Sequence, residues 1–362
     1  MHAGFSGLRK FVARKKSWCT MIGNCLAIPH DTIPSYVVPH LTTRKKEIFL
    51  HSIQTGEIME IDREIRNNKE ILLDYFRNRG NEFLSEVNND YGNTEYKKKS
   101  KKLNTLLVKA RKTLVEIIEQ KAETQDWSKE ELIESVLMVT YCNYVVMLEL
   151  RHSVWPYEYM TFSRRIGELW EPFCKLTFEY PINDIELFVP PLFSDVKKKL
   201  STEIEDYINQ LNLSQEEKQQ LLKYYNKVWD LVTSGEIKLE LDLHFIFNGT
   251  KYVVDFKSGF GSNEKGNTNR LLLVASIYHN LEEGYEPLIF VRATENNNYF
   301  NTLKNSGIWS VFSGEETYGE IYRYTGYDIK SWIDNNIAWE DDFHAEFVEF
   351  LNENNLSQYL TW

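Results

Sequence analysis

Residues Lys238 to Lys257 read KLELDLHFIFNGTKYVVDFK, and the reading of this stretch decides the fold. Leu239, Leu241, Leu243, Phe245 and Phe247 alternate with Glu240, Asp242, His244 and Ile246, the period-two pattern of a strand with one buried face. Asn248-Gly249 follows, the dipeptide best suited to a type I′ hairpin turn. A second strand, Tyr252 to Lys257, ends in Asp255-Phe256-Lys257. Asp255 and Lys257 are two residues apart and share a face, while Phe256 points to the other. The hairpin therefore gathers acid, acid and lysine on one side of a sheet. Hard oxygen ligands beside a cation are what metal-assisted cleavage of a phosphodiester requires.

Downstream of the hairpin, Ser258 to Gly266 is a loop rich in Gly, Ser and Asn, and Asn269 to Leu281 reads as an apolar helix. Pro287 to Val291 reads as a buried strand, Tyr299 to Asn305 as a short helix, and Trp309 to Phe312 and Gly319 to Tyr324 as short strands. The stretch from Asp328 to Trp362 reads as mostly helical.

Upstream, residues 55–155 read as helices. Leu103, Leu106, Leu107, Ala110 and Leu114 form one apolar stripe at helical spacing, and Ser128-Lys129-Glu130-Glu131 is a capping box that opens the next helix. The apolar run Val136 to Leu150 is broken by Thr140, Tyr141, Asn143 and Tyr144, so it reads as a buried helix rather than a bilayer span. Trp155-Pro156 breaks that pattern. Arg165 to Glu171 starts a short helix, and Leu176 to Pro190 reads as extended. Two helices follow as an insertion over about 192–233: Asp195 to Leu211, and a second from the capping box Ser214-Gln215-Glu216-Glu217 to Thr233. The expected architecture is α/β, a mixed β-sheet flanked by helices, with a large helical N-terminal region and a helical insertion. Segments 1–155, 156–327 and 328–362 are the expected N-terminal region, core and C-terminal helical segment.

The chain has 362 residues and a net charge of −11, which by itself argues against nucleic-acid binding. The distribution argues otherwise. Segment 1–50 holds Arg9, Lys10, Arg14, Lys15, Lys16, Arg44, Lys45 and Lys46 against Asp31 and Glu47. The stretch Lys97 to Lys112 carries Lys98, Lys102, Lys109 and five further basic residues with no acid. Two concentrated basic segments in an acidic chain suggest a local phosphate-binding surface; the competing reading of Lys97 to Lys112 is a solvated helix face. Cys19, Cys25, Cys142 and Cys174 have no C-x-x-C spacing and no His cluster, which argues against zinc and for a reducing, cytoplasmic setting. The amino end is basic and poor in acids, faintly like a transit peptide, and lacks the apolar core of a secretory signal.

Asp242 and Asp255 on adjacent strands can grip one Mg²⁺, with the Phe256 carbonyl as a further ligand and Lys257 placed to orient water or stabilise developing charge. D-x-K is a weak pattern alone. It gains weight from the apolar strand Tyr252-Val253-Val254 before it, the acid across the turn, and the loop and helix after it. With these features the chain resembles the PD-(D/E)XK nuclease superfamily, the fold of most type II restriction endonucleases, over about Arg165 to Arg292. The matching residues are Asp242 and Asp255-Phe256-Lys257, followed by Ser258-Gly259; Leu241 stands where the motif's name has proline.

The resemblance implies Asp242 and Asp255 as Mg²⁺ ligands and Lys257 as the catalytic lysine. It also implies a glutamate on the preceding helix, for which Glu171 is chosen over Glu168. It further implies water attack on double-stranded DNA leaving 5′-phosphates, a homodimer for twofold sites, a prokaryotic cytoplasm, a cognate DNA methyltransferase and no membrane. The N-terminal region is then expected to serve DNA contact or dimerisation. Glu240 and His244 share the Asp242 face and read as solvated neighbours. Asn267 and Arg270 are candidates for DNA contact, and the loop Thr294 to Tyr299 reads as an ordinary polar connector. The Tyr318 to Tyr327 segment superficially resembles a GIY-type nuclease but has too little chain after it. Alternatives are another nuclease of the superfamily, such as a transposon or repair nickase, or a non-catalytic nucleic-acid-binding protein.

Overall fold

The computed structural model describes residues 65–232, 237–261, 264–281 and 284–362. The basic residues of segment 1–50, Cys19, Cys25, and Ser262 and Asn263 of the loop lie outside the described residues.

Among the described residues four long helices come first: α1 (Lys69–Asp90), α2 (Tyr96–Thr124), α3 (Lys129–Val154) and α4 (Tyr159–Glu179). Each of the first two buries one stripe. Leu72, Phe76, Gly80, Phe83 and Val87 form it on α1; Leu103, Leu107, Ala110, Leu114 and Ile118 form it on α2. Gly80 marks a close crossing, because a Cβ there would lie 2.2 Å from Leu150 Cδ1. Helix α3 opens on the expected capping box, with Ser128 and Glu131 bonding each other's backbone N–H. At 26 residues it is longer than its apolar run, and long and apolar enough to cross a membrane. Every residue from Ser135 to Arg151 is buried in protein, so the reading as a buried helix holds.

Then follow β1 (Ile185–Leu187), α5 (Phe193–Gln210), α6 (Gln215–Val232), β2 (Leu243–Phe247), β3 (Thr250–Lys257) and α7 (Lys265–His279). The chain continues with β4 (Tyr285–Val291), α8 (Asn298–Lys304), β5 (Ser310–Ser313) and α9 (Glu315–Thr325). It closes with α10 (Ile329–Asn336), α11 (Trp339–Asp342) and α12 (Ala345–Glu353). The five strands form one mixed sheet in the order β1-β2-β3-β4-β5. The β1–β2 and β2–β3 pairs are antiparallel; β3–β4 and β4–β5 are parallel. The β2–β3 turn is the two-residue Asn248-Gly249 loop, with φ of 50° and 80° as a type I′ turn needs.

Two apolar clusters cover the two sheet faces. Phe245, Val254, Phe256, Leu288 and Phe290 join a large cluster with α1 to α4 and the C-terminal helices, where Trp170 meets Phe256 at 5.7 Å and Phe178 meets Phe245 at 5.0 Å. Val253, Ile289, Val291 and Val311 join a second cluster with α7, α8 and the start of α5. Residues 65–155, the sheet and residues 328–362 thus share core.

Three expectations change. The helix at Arg165 is not short. It runs to Glu179, with Pro172 inside it, and the extended stretch shrinks to Ile185–Leu187. Gly319 to Tyr324 is helical, because Tyr318, Ile321 and Tyr324 are buried at three-residue spacing and Gly314, at φ 55°, turns the chain out of β5. The alternating run 239–247 is a strand only from Leu243. The chain bends at Asp242, so Leu239 and Leu241 enter the second cluster while Leu243 and Phe245 enter the first.

Candidate active site

Strand alternation puts Val253, Asp255 and Lys257 on the α7 face of the sheet and Val254 and Phe256 on the α4 face. Asp255 is therefore buried, at 1% exposure, in a wall otherwise built of Val253, Ile289 and Val291. Burial pushes its carboxyl pKa upward, the Asp242 charge adds to that, and Lys257 and Arg270 hold it down. The Lys257 ammonium contacts Asp255 Oδ2 and donates to the Phe256 carbonyl at 3.2 Å. Arg270 Nη2, on α7, donates to Asp255 Oδ1 at 3.3 Å.

Asp242 reaches the same place from the bend before β2. Its Oδ2 accepts from Phe256 N at 2.7 Å. In an extended strand the N–H and C=O of one residue face the same side, so the Phe256 carbonyl also faces Asp242. Two contacts pin the bend. Tyr278 of α7 donates its hydroxyl to Leu239 O at 2.8 Å, and Leu241 N donates to His244 Nε2 at 3.2 Å. His244 is buried rather than solvated, which corrects its reading as polar surface. Desolvation pushes its pKa down to about 4, so the neutral ring accepts the Leu241 N–H. Glu240 is exposed, as read.

The structure thus joins Asp242, Phe256, Lys257, Asp255 and Arg270 in one chain of contacts. Arg270, a candidate for DNA contact, lies against the Asp255 carboxylate. It is steadied by Asn267 Oδ1 at 3.4 Å, and Asn267 in turn donates to Glu264 at 3.0 Å. Sequence reasoning missed His244 and Tyr278 as supports. The available signal was a histidine two residues from Asp242 and a tyrosine at the end of the largely apolar run Leu271 to Ile277.

Glu171 lies one turn beyond Gly167 on α4. A Cβ at Gly167 would come within 2.8 Å of Ser258 Cβ, so this face of α4 touches the end of β3. Glu171 is bound to Lys175 at 2.5 Å, and Lys175 lies 5.7 Å from the Phe256 ring centre. Glu168 pairs instead with Arg164 at 2.7 Å and Arg165 at 3.4 Å. Among the described residues no three His, Cys, Asp or Glu side chains gather as a metal site, so Glu171 does not converge with the two aspartates. Lys98, Lys102 and Lys109 lie on α2, outside the cluster. Lys98 pairs with Glu95 at 2.6 Å, Lys102 lies 3.8 Å from Glu86, and Lys109 is exposed.

The donor set fits Mg²⁺ in kind. Two carboxylates and a carbonyl are hard oxygens, and Mg²⁺ characteristically keeps several waters besides one or two carboxylates. The Lys257 ammonium already spans two of these oxygens, and a carboxylate buried as deeply as Asp255 favours positive charge beside it. Comparison with protein-family models, with curated proteins and with solved structures finds no match to this chain.

Proposed function

We propose that the chain is a Mg²⁺-dependent, site-specific endonuclease of the restriction type that hydrolyses double-stranded DNA and leaves 5′-phosphate ends. The observation that carries this reading is the contact chain Asp242–Phe256–Lys257–Asp255–Arg270 at the end of β3. A mixed sheet with the β2–β3 hairpin at its centre and α4 across one face is consistent with a PD-(D/E)XK core.

Asp242, Asp255 and the Phe256 carbonyl would hold Mg²⁺. Bound there, Mg²⁺ would polarise a phosphoryl oxygen and lower the pKa of a water. The Lys257 ammonium would donate a hydrogen bond to the oxygen of the attacking water or to phosphate oxygens. Arg270 is 43% exposed and can bind a phosphate oxygen while its Nη2 remains near Asp255. The Lys98, Lys102 and Lys109 face of α2 adds sequence-independent attraction to the DNA backbone. The reading carries with it a prokaryotic cytoplasm and a DNA methyltransferase of matching specificity.

One observation favours a non-catalytic, nucleic-acid-binding role: Lys257 and Arg270 already engage both Asp255 oxygens, and no third acidic ligand joins them among the described residues. Digestion of a long, sequence-diverse DNA with and without Mg²⁺, with Asp255→Asn as control, separates the two. Discrete Mg²⁺-dependent bands absent in the variant support the endonuclease. DNA retention with no cleavage of any substrate supports the binding protein.

A further inference from the structure

Arg151, in the last turn of α3, is buried to 7% exposure. Its guanidinium lies 4.4 Å from the centre of the Trp155 ring and 4.5 Å from that of Tyr157. The two rings favour the charge but offer it no oxygen. Among the described residues Arg151 has no hydrogen-bond acceptor and no acidic partner, and its Nη1 is wholly enclosed. The Tyr157 hydroxyl, enclosed as well, is also without a partner among the described residues. Burial pushes that phenol up to about 12, with Arg165 and then Arg151 pulling the other way, so it stays a donor. Burial likewise lowers the Arg151 pKa; the Tyr157 oxygen opposes that, and the like charge of Arg165 adds to it.

Arg165 of α4 completes the group. Its Nη2 donates to Met147 Sδ at 3.3 Å, a weak acceptor one turn before Arg151 on α3, and its Nη1 donates to Glu168 at 3.4 Å. Glu168 also accepts from Arg164 at 2.7 Å, so one 43% exposed carboxylate is divided between two arginines and bonds neither Arg151 nor Tyr157. Lys97 of α2 adds a further charge, 6.0 Å from the Trp155 ring centre. A buried cation without counter-charge is costly, and so is a buried donor without an acceptor. Together they mark a place where an acceptor of opposite charge belongs. The place is separate from the Asp255 cluster. Arg165 is two residues from Gly167, about 200° round the helix, so it turns to α3 while Gly167 meets Ser258.

We propose that Arg151, Arg165 and Tyr157 form an oxyanion site that takes a phosphate group. A phosphate group brings up to two negative charges and acceptor oxygens in several directions, whereas a single carboxylate would balance one arginine. Arg165, 26% exposed, is the member most open to solvent and the one an entering anion meets first. The phosphate can belong to a nucleic-acid backbone or to a free phosphate-bearing molecule, since the chemistry at the guanidiniums is the same. The inference is independent of the nuclease reading, because α4 stands between this site and Asp255.

The test is calorimetric titration of the full chain with inorganic phosphate at fixed ionic strength, with chloride as control. The wild type is expected to bind phosphate and to melt at a higher temperature in its presence. Arg151→Met keeps a stem between the rings and removes charge and donors. It is expected to bind phosphate about tenfold more weakly or worse, yet to be at least as stable as the wild type in phosphate-free buffer, because an unpaired buried charge is gone. Tyr157→Phe is expected to weaken binding severalfold at no cost in stability, and Glu168→Gln to tighten it by releasing Arg165. A short DNA duplex and a deoxynucleoside monophosphate separate the two sources. Duplex affinity that falls with Arg151→Met, with phosphate competing for the duplex site, assigns the site to the backbone. Unchanged duplex affinity with loss of phosphate and monophosphate binding assigns it to a free ligand. A wild-type response no greater than that to chloride, or equal phosphate binding in all four proteins, overturns the proposal. So does an Arg151→Met protein less stable than the wild type in phosphate-free buffer while Tyr157→Phe and Glu168→Gln bind phosphate as the wild type does, which would make the cluster a packing device. Should Arg151→Met fail to fold, the opposite shifts expected of Tyr157→Phe and Glu168→Gln decide, and their absence overturns the proposal.

Discussion

Asp242 accepts a hydrogen bond from the Phe256 backbone N–H at 2.7 Å, so the acid before β2 is tied to the residue between the other two members of the site. One carboxylate oxygen therefore has a structural role and the charge has a separate one. Asp242→Asn keeps an acceptor for Phe256 N and removes the charge. It is expected to change unfolding free energy by less than about 1 kcal/mol, while abolishing stabilisation by Mg²⁺ and lowering cleavage on the order of 10²-fold or more. Asp242→Ala loses the bond as well and costs about 1–3 kcal/mol. Denaturant unfolding with and without millimolar Mg²⁺ measures both. Equal Mg²⁺ stabilisation in wild type and Asp242→Asn would remove Asp242 from the metal site.

Lys257 and Asp255 test whether the site's charges are structurally coupled. Asp255 is buried and Lys257 only 16% exposed, so removing the lysine leaves a buried carboxylate with Arg270 as its remaining partner. Lys257→Met is expected to cost about 2–4 kcal/mol, less than the full penalty for an orphaned buried charge because Arg270 stays. Lys257→Met combined with Asp255→Asn removes both charges and is expected to be more stable than Lys257→Met alone. Equilibrium unfolding of the four proteins in this cycle gives the coupling. Lys257→Met is also expected to keep DNA binding and lose cutting; loss of binding in a folded protein would point to a structural lysine instead.

The parts of the fold that were legible are those written in local chemistry. Asn248-Gly249 fixes the hairpin because both residues take positive φ, and the Ser128 and Ser214 boxes fix two helix starts by bonds three residues apart. Asp242, Asp255 and Lys257 were legible as a group because one tight turn brings them together. What was not legible depends on distant partners. Gly319 to Tyr324 has the apolar density of a strand, and only the packing of Tyr318, Ile321 and Tyr324 on one side settles it as α9. His244 alternates with leucines as a surface residue would, and its burial follows from the bend at Asp242. Arg270 reaches Asp255 from 15 residues away on α7, a contact set by how that helix lies on the sheet.

Gly167 is where α4 meets the end of β3, and an added Cβ would lie 2.8 Å from Ser258 Cβ and 3.0 Å from its Oγ. Alanine at a helical glycine normally gains about 1 kcal/mol from propensity. Here the overlap with a side-chain root is expected to outweigh that gain, so Gly167→Ala is destabilising by about 1–2 kcal/mol. Ser258→Gly removes both overlapping atoms, and the double variant is expected to regain most of the loss. A Gly167→Ala protein as stable as wild type would show that α4 does not bear on the end of β3 at this point.

His152 supplies a pH test far from the candidate site. Its ring lies 4.8 Å from Phe347 and 4.1 Å from Phe350, and Tyr157 N donates to its Nδ1 at 3.4 Å. Burial among these rings lowers its pKa from the usual 6.5, and the Arg151 charge lowers it further. The folded state thus prefers the neutral ring more strongly than the unfolded chain does. Its contribution is fully present above the unfolded pKa of 6.5 and is lost as pH falls through 6.5 toward the lower folded value. His152→Gln keeps an acceptor for Tyr157 N and cannot titrate. Between pH 7.5 and 5.5 the melting temperature of the wild type is expected to fall further than that of His152→Gln, so the gap between them shifts toward the variant in acid. Taking the difference between the two proteins cancels the opposite contribution of Asp255, whose raised pKa makes acid stabilising. Parallel pH profiles would mean that His152 protonates as readily in the fold as outside it, and that the aromatic cage of α3 and α12 is open to water.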